Sequence, residues 1–81
     1  MPALEDVKQI LDSVLNLNGR AGNFDFDTIL FGGIPELDSM AIVNVITALE
    51  EHFGVVFDDE EITAETFETV GSLTLVVEEK L

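Results

Sequence analysis

The sequence predicts an all-α protein: a small four-helix bundle with three longer helices, one short third helix and a long first loop. Apolar residues recur at spacings of three and four in three segments, which is the pattern of helices that bury one face. Glycine, asparagine and proline interrupt the chain between these segments. With 81 residues and no cysteine, we expect a single domain over residues 1–81, held together by apolar packing.

The first helix is predicted over residues 3–15, and Asn16, Asn18 and Gly19 are expected to end it. Its apolar stripe consists of Leu4, Val7, Ile10, Leu11, Val14 and Leu15. The following residues, 16–38, have no long periodicity but are too apolar for a free linker. We expect them to fold back onto the core, with a short turn of helix at 28–31, before Pro35 extends the chain.

The second long helix is predicted over residues 37–53, and Gly54 is expected to end it. At ~100° per residue, its side chains divide into two stripes on roughly opposite sides. The stripe expected to face the core is Ile42, Val45, Ile46, Leu49 and Phe53. The stripe expected to face outward is Met40, Val43, Asn44, Thr47, Glu50 and Glu51.

The last third of the chain predicts a short helix and a longer one. Residues 63–67 have room for about one helical turn, with Thr63 and Thr66 as possible caps. A final helix is predicted by the recurrence at helical spacing of Val70, Leu73, Val77 and Leu81, with Val76 beside them. The segment LTLVV is also compatible with a strand, but we favour a helix because no partner strand is evident.

The charge balance limits the partners of this protein. There are 17 acidic residues against Lys8, Arg20 and Lys80, a net charge of -14. Such a surface repels nucleic acid and anionic lipid, and attracts proteins with basic patches. No apolar run approaches the ~18 residues that span a bilayer, and the first residues lack a secretory signal. We expect a cytoplasmic monomer that binds neither nucleic acid nor membrane.

Asp38 and Ser39 stand at the predicted start of the second long helix, and two interpretations of them are open. In the structural one, Asp38 is an N-cap and Ser39 a first-turn residue without further role. In the functional one, the serine hydroxyl carries a phosphate ester, which the exposed N–H groups and dipole of a helix N-terminus favour. Local physical chemistry alone favours the structural interpretation.

The segment LDSM followed by AIVNVITALEEHFGV resembles the signature of acyl carrier proteins. These proteins combine a D-S-[L/M] site with a helix that ends in A-L-E-E-x-F, and the resemblance extends to Val77. It implies that a phosphopantetheinyl transferase, using coenzyme A and magnesium, attaches 4'-phosphopantetheine to Ser39. Asp38 would belong to the recognition site, and the arm's thiol would carry an acyl group as a thioester. The outward stripe matches the positions by which such carriers meet basic patches on partner enzymes.

Two departures from the family pattern lie on this helix. Ala41 and Asn44 occupy positions where carriers of fatty-acid synthesis often have acids. LDSM and the segment EITAETFETVGSL are more similar to two side branches, the D-alanyl carriers and the carriers of exopolysaccharide and exosortase gene clusters. The segments PELDSM and DDEEI-x-x-ETF are closer to the second branch, and D-alanyl carriers typically have tryptophan where Phe67 stands. The resemblance also implies that an acyl chain enters beside the helix, near Ile46, Leu49 and Ile62.

Two other functions and a metal site are weighed against the carrier. An unmodified acidic domain that docks on a basic partner would use the same outward stripe. A hydrolase is disfavoured, because Ser39 and the single histidine, His52, lie about 20 Å apart along one helix. Acidic residues at 25–27 and 58–61 lack the spacing of a calcium loop, so no metal site is predicted.

Overall fold

The computed structural model describes residues 2–81 and contains three α-helices in that range. They are α1 (Pro2–Leu15), α2 (Ser39–Phe53) and α3 (Val70–Lys80), and single 3-10 turns occupy Arg20–Asn23 and Asp59–Glu61. The three predicted long helices are therefore confirmed. None of the helices in the described part of the chain has the length and apolarity needed to cross a bilayer.

The first two helices end where the sequence predicts. Asn16 follows α1 in the left-handed conformation, with φ 55°, and the N–H of Leu17 donates to the carbonyl of Asp12 at 3.0 Å. Gly54 has φ 68°, and its N–H donates to the carbonyl of Glu50 at 2.9 Å. Both arrangements satisfy carbonyls that the end of a helix would otherwise leave without donors.

The core lies where α1 packs against both α2 and α3. Val7 and Leu11 of α1, Val45 and Leu49 of α2, and Leu73 of α3 are completely buried. The predicted core stripe of α2 is confirmed in its centre, while its ends, Ile42 and Phe53, are half-buried against the same cluster.

The prediction of a short third helix over residues 63–67 is wrong. Residues 63–67 form an isolated turn, in which the N–H of Phe67 donates to the carbonyl of Thr63 at 3.3 Å. Thr63 caps this turn as predicted, because its hydroxyl accepts the N–H of Thr66 at 3.2 Å. The carbonyl of Phe67 accepts the N–H of Phe31 from the first loop, at 2.9 Å, so it is not used to extend a helix. Within residues 2–81 the bundle therefore has three α-helices rather than four.

The predicted helical turn at 28–31 is also wrong, because residues 28–30 are extended and a turn begins only at Phe31. Ile29 and Thr69 form an antiparallel bridge, and the N–H of Leu30 donates to the carbonyl of Glu68 at 2.9 Å. In return the N–H of Val70 donates to the carbonyl of Thr28 at 2.9 Å. The loop thus supplies an acceptor for one of the first N–H groups of α3, which has no partner within its own helix.

The final segment is a helix, which settles the choice left open by LTLVV. Thr69 and Ser72 form a reciprocal capping box, with each side chain accepting the other's backbone N–H at 3.0 Å. Leu73 and Val77 then face the core, and Thr74 is buried with its hydroxyl donating to the carbonyl of Val70 at 2.8 Å. A strand would have buried alternate residues instead.

Candidate functional site

Ser39 is the first residue of α2, and its side chain is exposed. Asp38 precedes it as the N-cap: its carboxylate Oδ1 accepts the N–H of Ala41 at 2.8 Å, and its carbonyl accepts the N–H of Ile42 at 2.9 Å. These two bonds fix the start of the helix at Ser39. The serine hydroxyl is therefore presented on a rigid element rather than on a mobile loop.

The segment that leads into Ser39 is held on both sides. Ile34 and Leu37 are buried in the core. Glu36 forms an ion pair with Arg20, whose Nε also donates to the carbonyl of Leu17 at 3.2 Å. The hydrogen bond from Arg20 holds the pKa of Glu36 below its usual value. This pair joins the first loop to the turn before α2, three residues from the serine.

The start of α2 fits the phosphodiester of a phosphopantetheine arm. The N–H groups of Ser39 and Met40 have no acceptor among residues 2–81, and the Ser39 hydroxyl has no hydrogen-bond partner there either. Free N–H donors at the positive end of a helix dipole stabilise an anion bound beside them. The residues present can thus hold such a group without rearrangement of the helix.

The predicted outward stripe of α2 is exposed with one exception. Met40 and Val43 are 75% and 61% exposed. The other exposed members are Asn44, Thr47 and Glu51. Glu50 is half-buried, because its carboxylate accepts the N–H of Phe57 at 2.8 Å and closes the loop that follows α2. Glu50 therefore has a structural contact that the stripe pattern did not predict.

An apolar cleft of about 120 Å³ opens beside α2. Its lining residues are Phe31, Ile42, Ile62, Thr63, Ala64 and Phe67. Of the three residues expected along an acyl chain, Ile62 lines this cleft, whereas Ile46 and Leu49 pack into the core. The apolar residues of the first loop, Phe31 among them, were expected to fold back onto the core. The sequence did not indicate that Phe31 would lie beside Phe67.

A larger groove, of about 410 Å³, lies along α1 and contains no residue of α2. Its wall includes Asp12, whose carboxylate accepts the N–H groups of Gly19 and Ala21 at 2.9 and 3.2 Å. Those bonds serve the turn after α1. The groove is therefore separate from the start of α2 and does not contribute to the site at Ser39.

His52 lies at the far end of α2 from Ser39. Its Nε2 is 3.8 Å from the carboxylate of Asp6 on α1, and its side chain is half-exposed. The histidine therefore contacts α1 rather than the serine. Within residues 2–81, no three His, Cys, Asp or Glu side chains are grouped so that they could hold a metal ion.

Comparison with known proteins agrees with this geometry. Residues 5–77 match the family model described as a phosphopantetheine attachment site. A solved structure of a holo acyl carrier protein from Nitrosomonas europaea has 59% sequence identity and a TM-score of 0.93, covering 99% of this chain and 96% of that one. A comparison with curated proteins gave no match. The chain therefore belongs to the phosphopantetheine attachment family, among the acyl carrier proteins, whose cofactor is covalently attached 4'-phosphopantetheine.

Proposed function

We propose that Ser39 is the attachment point of the arm, and that the protein carries an acyl group between enzymes without catalysing a reaction itself. The observation that carries this proposal is an exposed serine at the first position of a capped helix, within the span that matches the family. When bound, the arm supplies a thiol that holds the acyl group as a thioester.

Each residue around the attachment point has a distinct task in this proposal. Ser39 provides the hydroxyl that forms the phosphate ester. Asp38 fixes the helix start through Oδ1, and a modifying enzyme recognises the part of its carboxylate that faces solvent. The N–H groups of Ser39 and Met40 stabilise the phosphate charge. The ion pair between Arg20 and Glu36 keeps the preceding turn in place.

The partners in this proposal are a phosphopantetheinyl transferase and the enzymes that load and remove the acyl group. They meet the outward stripe of α2, from Met40 to Glu51, and a short acyl group rests in the cleft beside Ile42 and Ile62. We place this exchange in the cytoplasm, in lipid, polyketide or cell-envelope biosynthesis, and the protein acts as a monomer. The similarity of PELDSM to carriers of exopolysaccharide clusters favours an envelope pathway.

Loading in vitro tests the attachment point. The apo-protein is incubated with coenzyme A, magnesium and a phosphopantetheinyl transferase, and its intact mass is measured. We expect a gain of one phosphopantetheinyl group on the wild type and none on Ser39→Ala. Ser13→Ala is a matched control that removes a hydroxyl elsewhere and should be loaded normally. Loading of Ser39→Ala, or no loading of the wild type by several active transferases, would refute the proposal.

The alternative is an unmodified acidic domain that docks on a basic partner. Both functions use the outward stripe, and the free acid Glu51 suits either. Ser39→Ala separates them in cells, because the serine's small side chain contributes little to docking but is essential to a carrier. Loss of growth or product with Ser39→Ala, in protein that remains folded, supports the carrier. Full function of Ser39→Ala supports the docking domain.

A further inference from the structure

One side of the apolar cleft beside α2 is a short span of chain with few contacts of its own. Three consecutive residues, Ile62, Thr63 and Ala64, make up half of the residues that line the cleft, and we call them the cleft wall. All three are exposed. The N–H groups of Thr63 and Ala64 have no acceptor among residues 2–81. Because a span with so few contacts moves more easily than the helices around it, the position of the wall depends on the segments that hold its two ends.

The far end of the cleft wall is fixed to the core and to the start of α3. Thr66 and Phe67 are both buried. The carbonyl of Thr66 accepts the hydroxyl of Ser72 at 2.8 Å, and the carbonyl of Phe67 accepts the N–H of Phe31 at 2.9 Å. This end therefore cannot move unless the cap of α3 and part of the core are disrupted.

The near end of the cleft wall is held to α3 through Glu61, the residue directly before it. The Oε1 of Glu61 accepts both the Nζ of Lys80, at 2.6 Å, and the N–H of Asp58, at 2.9 Å. Lys80 is the last residue of α3, and its Nζ also lies 5.2 Å from the centroid of the Phe57 ring, which favours a cation. The Lys80 side chain is only 16% exposed, so water and salt screen this ion pair less than a pair on the open surface.

The other contacts of the near end do not replace this ion pair. The side chain of Ile62 is 38% exposed, so burial does not fix it. The N–H of Ile62 donates to the carbonyl of Asp59 at 3.1 Å, a local bond that moves together with the turn. If the pair between Lys80 and Glu61 is broken, the wall remains fixed only at its far end. It can then move outward and enlarge the cleft.

We propose that Lys80 is a positioning residue for the cargo: by holding Glu61 it fixes the cleft wall and limits the sheltered acyl group to short chains. This proposal rests on the proposed function, because a cargo requires the arm on Ser39. The cleft has a volume of about 120 Å³, and Phe67, which lines it, is buried in the core. A longer chain therefore gains room chiefly by displacing the exposed wall, which the ion pair resists.

Amide hydrogen exchange of the apo-protein, followed by NMR, tests the wall without any cargo. In Lys80→Met, which keeps an unbranched apolar side chain but removes the charge, the N–H groups of Asp58 and Ile62 should exchange about threefold faster or more. Lys80→Arg should restore the exchange rates of the wild type. Lys8→Met is the matched control, because it removes the other lysine ion pair, with Glu5 on α1, and Lys8 does not line the cleft. Unchanged exchange in Lys80→Met, or an equal increase for the N–H groups within α1, would overturn the proposal.

The length of the cargo supplies the second measurement. Each protein is loaded with a butyryl or a dodecanoyl phosphopantetheine arm, and its Tm is compared with that of the same protein carrying the arm without an acyl group. A sheltered chain stabilises the folded state. In the wild type and Lys8→Met, dodecanoyl should raise the Tm no further than butyryl, whereas in Lys80→Met it should raise the Tm further.

The outcomes distinguish this proposal from the function on which it rests. The same dependence of Tm on chain length in the wild type and Lys80→Met would mean that the ion pair only stabilises the fold, and would overturn the proposal while the carrier function stands. A wild type that cannot be loaded at all would refute the attachment of the arm to Ser39, and the role of Lys80 toward a cargo would be refuted with it.

Discussion

Gly71→Ala tests whether the first loop is locked onto the start of α3. Gly71 lies in the first turn of α3, where its N–H donates to the carbonyl of Phe26 at 2.8 Å. A Cβ at this position would overlap the ring of Phe26. Helix propensity favours alanine over glycine by up to about 1 kcal/mol. Overpacking costs about 1–3 kcal/mol, and a weakened hydrogen bond costs about 1 kcal/mol more. We therefore expect a net destabilisation of about 1–3 kcal/mol.

Urea unfolding followed by far-UV circular dichroism measures this change as a lower midpoint with an unchanged slope. Gly22→Ala is the matched control, because a Cβ there meets no atom within 4 Å and φ is not positive; it should be neutral or slightly stabilising. In a Phe26→Ala background the obstacle is gone, so Gly71→Ala should become neutral or stabilising. Stabilisation by Gly71→Ala alone, or an equal effect in both backgrounds, would refute the close contact.

Three further predictions concern the ends of the helices. Asp38→Ala should lower the free energy of unfolding by about 1 kcal/mol, because the N-cap hydrogen bond is lost. Asp38→Asn can still accept this bond, so its free energy of unfolding should stay within a few tenths of a kcal/mol of the wild type. An equal loss in both variants would contradict the capping role of Asp38. Glu50→Ala should cost about 1 kcal/mol in thermal or urea unfolding because a half-buried N–H loses its acceptor, whereas Glu51→Ala should cost almost nothing; equal effects would mean that the Glu50 contact is not stabilising. The hydrogen bond from Lys80 lowers the pKa of Glu61 from its usual 4.5. The stabilisation from this ion pair is therefore present near neutral pH and is lost as the pH falls through the lowered pKa. The amount by which Glu61→Gln lowers the Tm should become smaller in acid, and a decrease in Tm independent of pH would contradict a stabilising ion pair.

The parts of the fold that were predicted correctly have local causes. An N-cap residue, and an asparagine or glycine that can adopt the left-handed conformation, mark helix ends to within a few positions. The caps of α2, Asp38 and Gly54, could therefore be predicted from the sequence. Helical periodicity then separates the buried face of α2 from its exposed face. These two signals were sufficient to predict that Ser39 lies at the start of the helix.

The parts that were missed depend on contacts between distant segments. Ile29 and Thr69 are 40 positions apart, and nothing near either residue signals their pairing. That pairing brings Phe31 next to Phe67 and thereby forms the cleft. The bond from Phe57 to Glu50 has the same origin, since a glutamate on an exposed stripe gives no sign that a later loop will use its carboxylate.

The intact mass of the protein purified from its native cells shows directly whether it carries the arm and a cargo. We expect the mass of the chain plus one phosphopantetheinyl group, with an additional acyl group in part of the population. The same preparation of Ser39→Ala should have the mass of the unmodified chain. An unmodified wild type, or a modification that persists in Ser39→Ala, would contradict a carrier function based on Ser39.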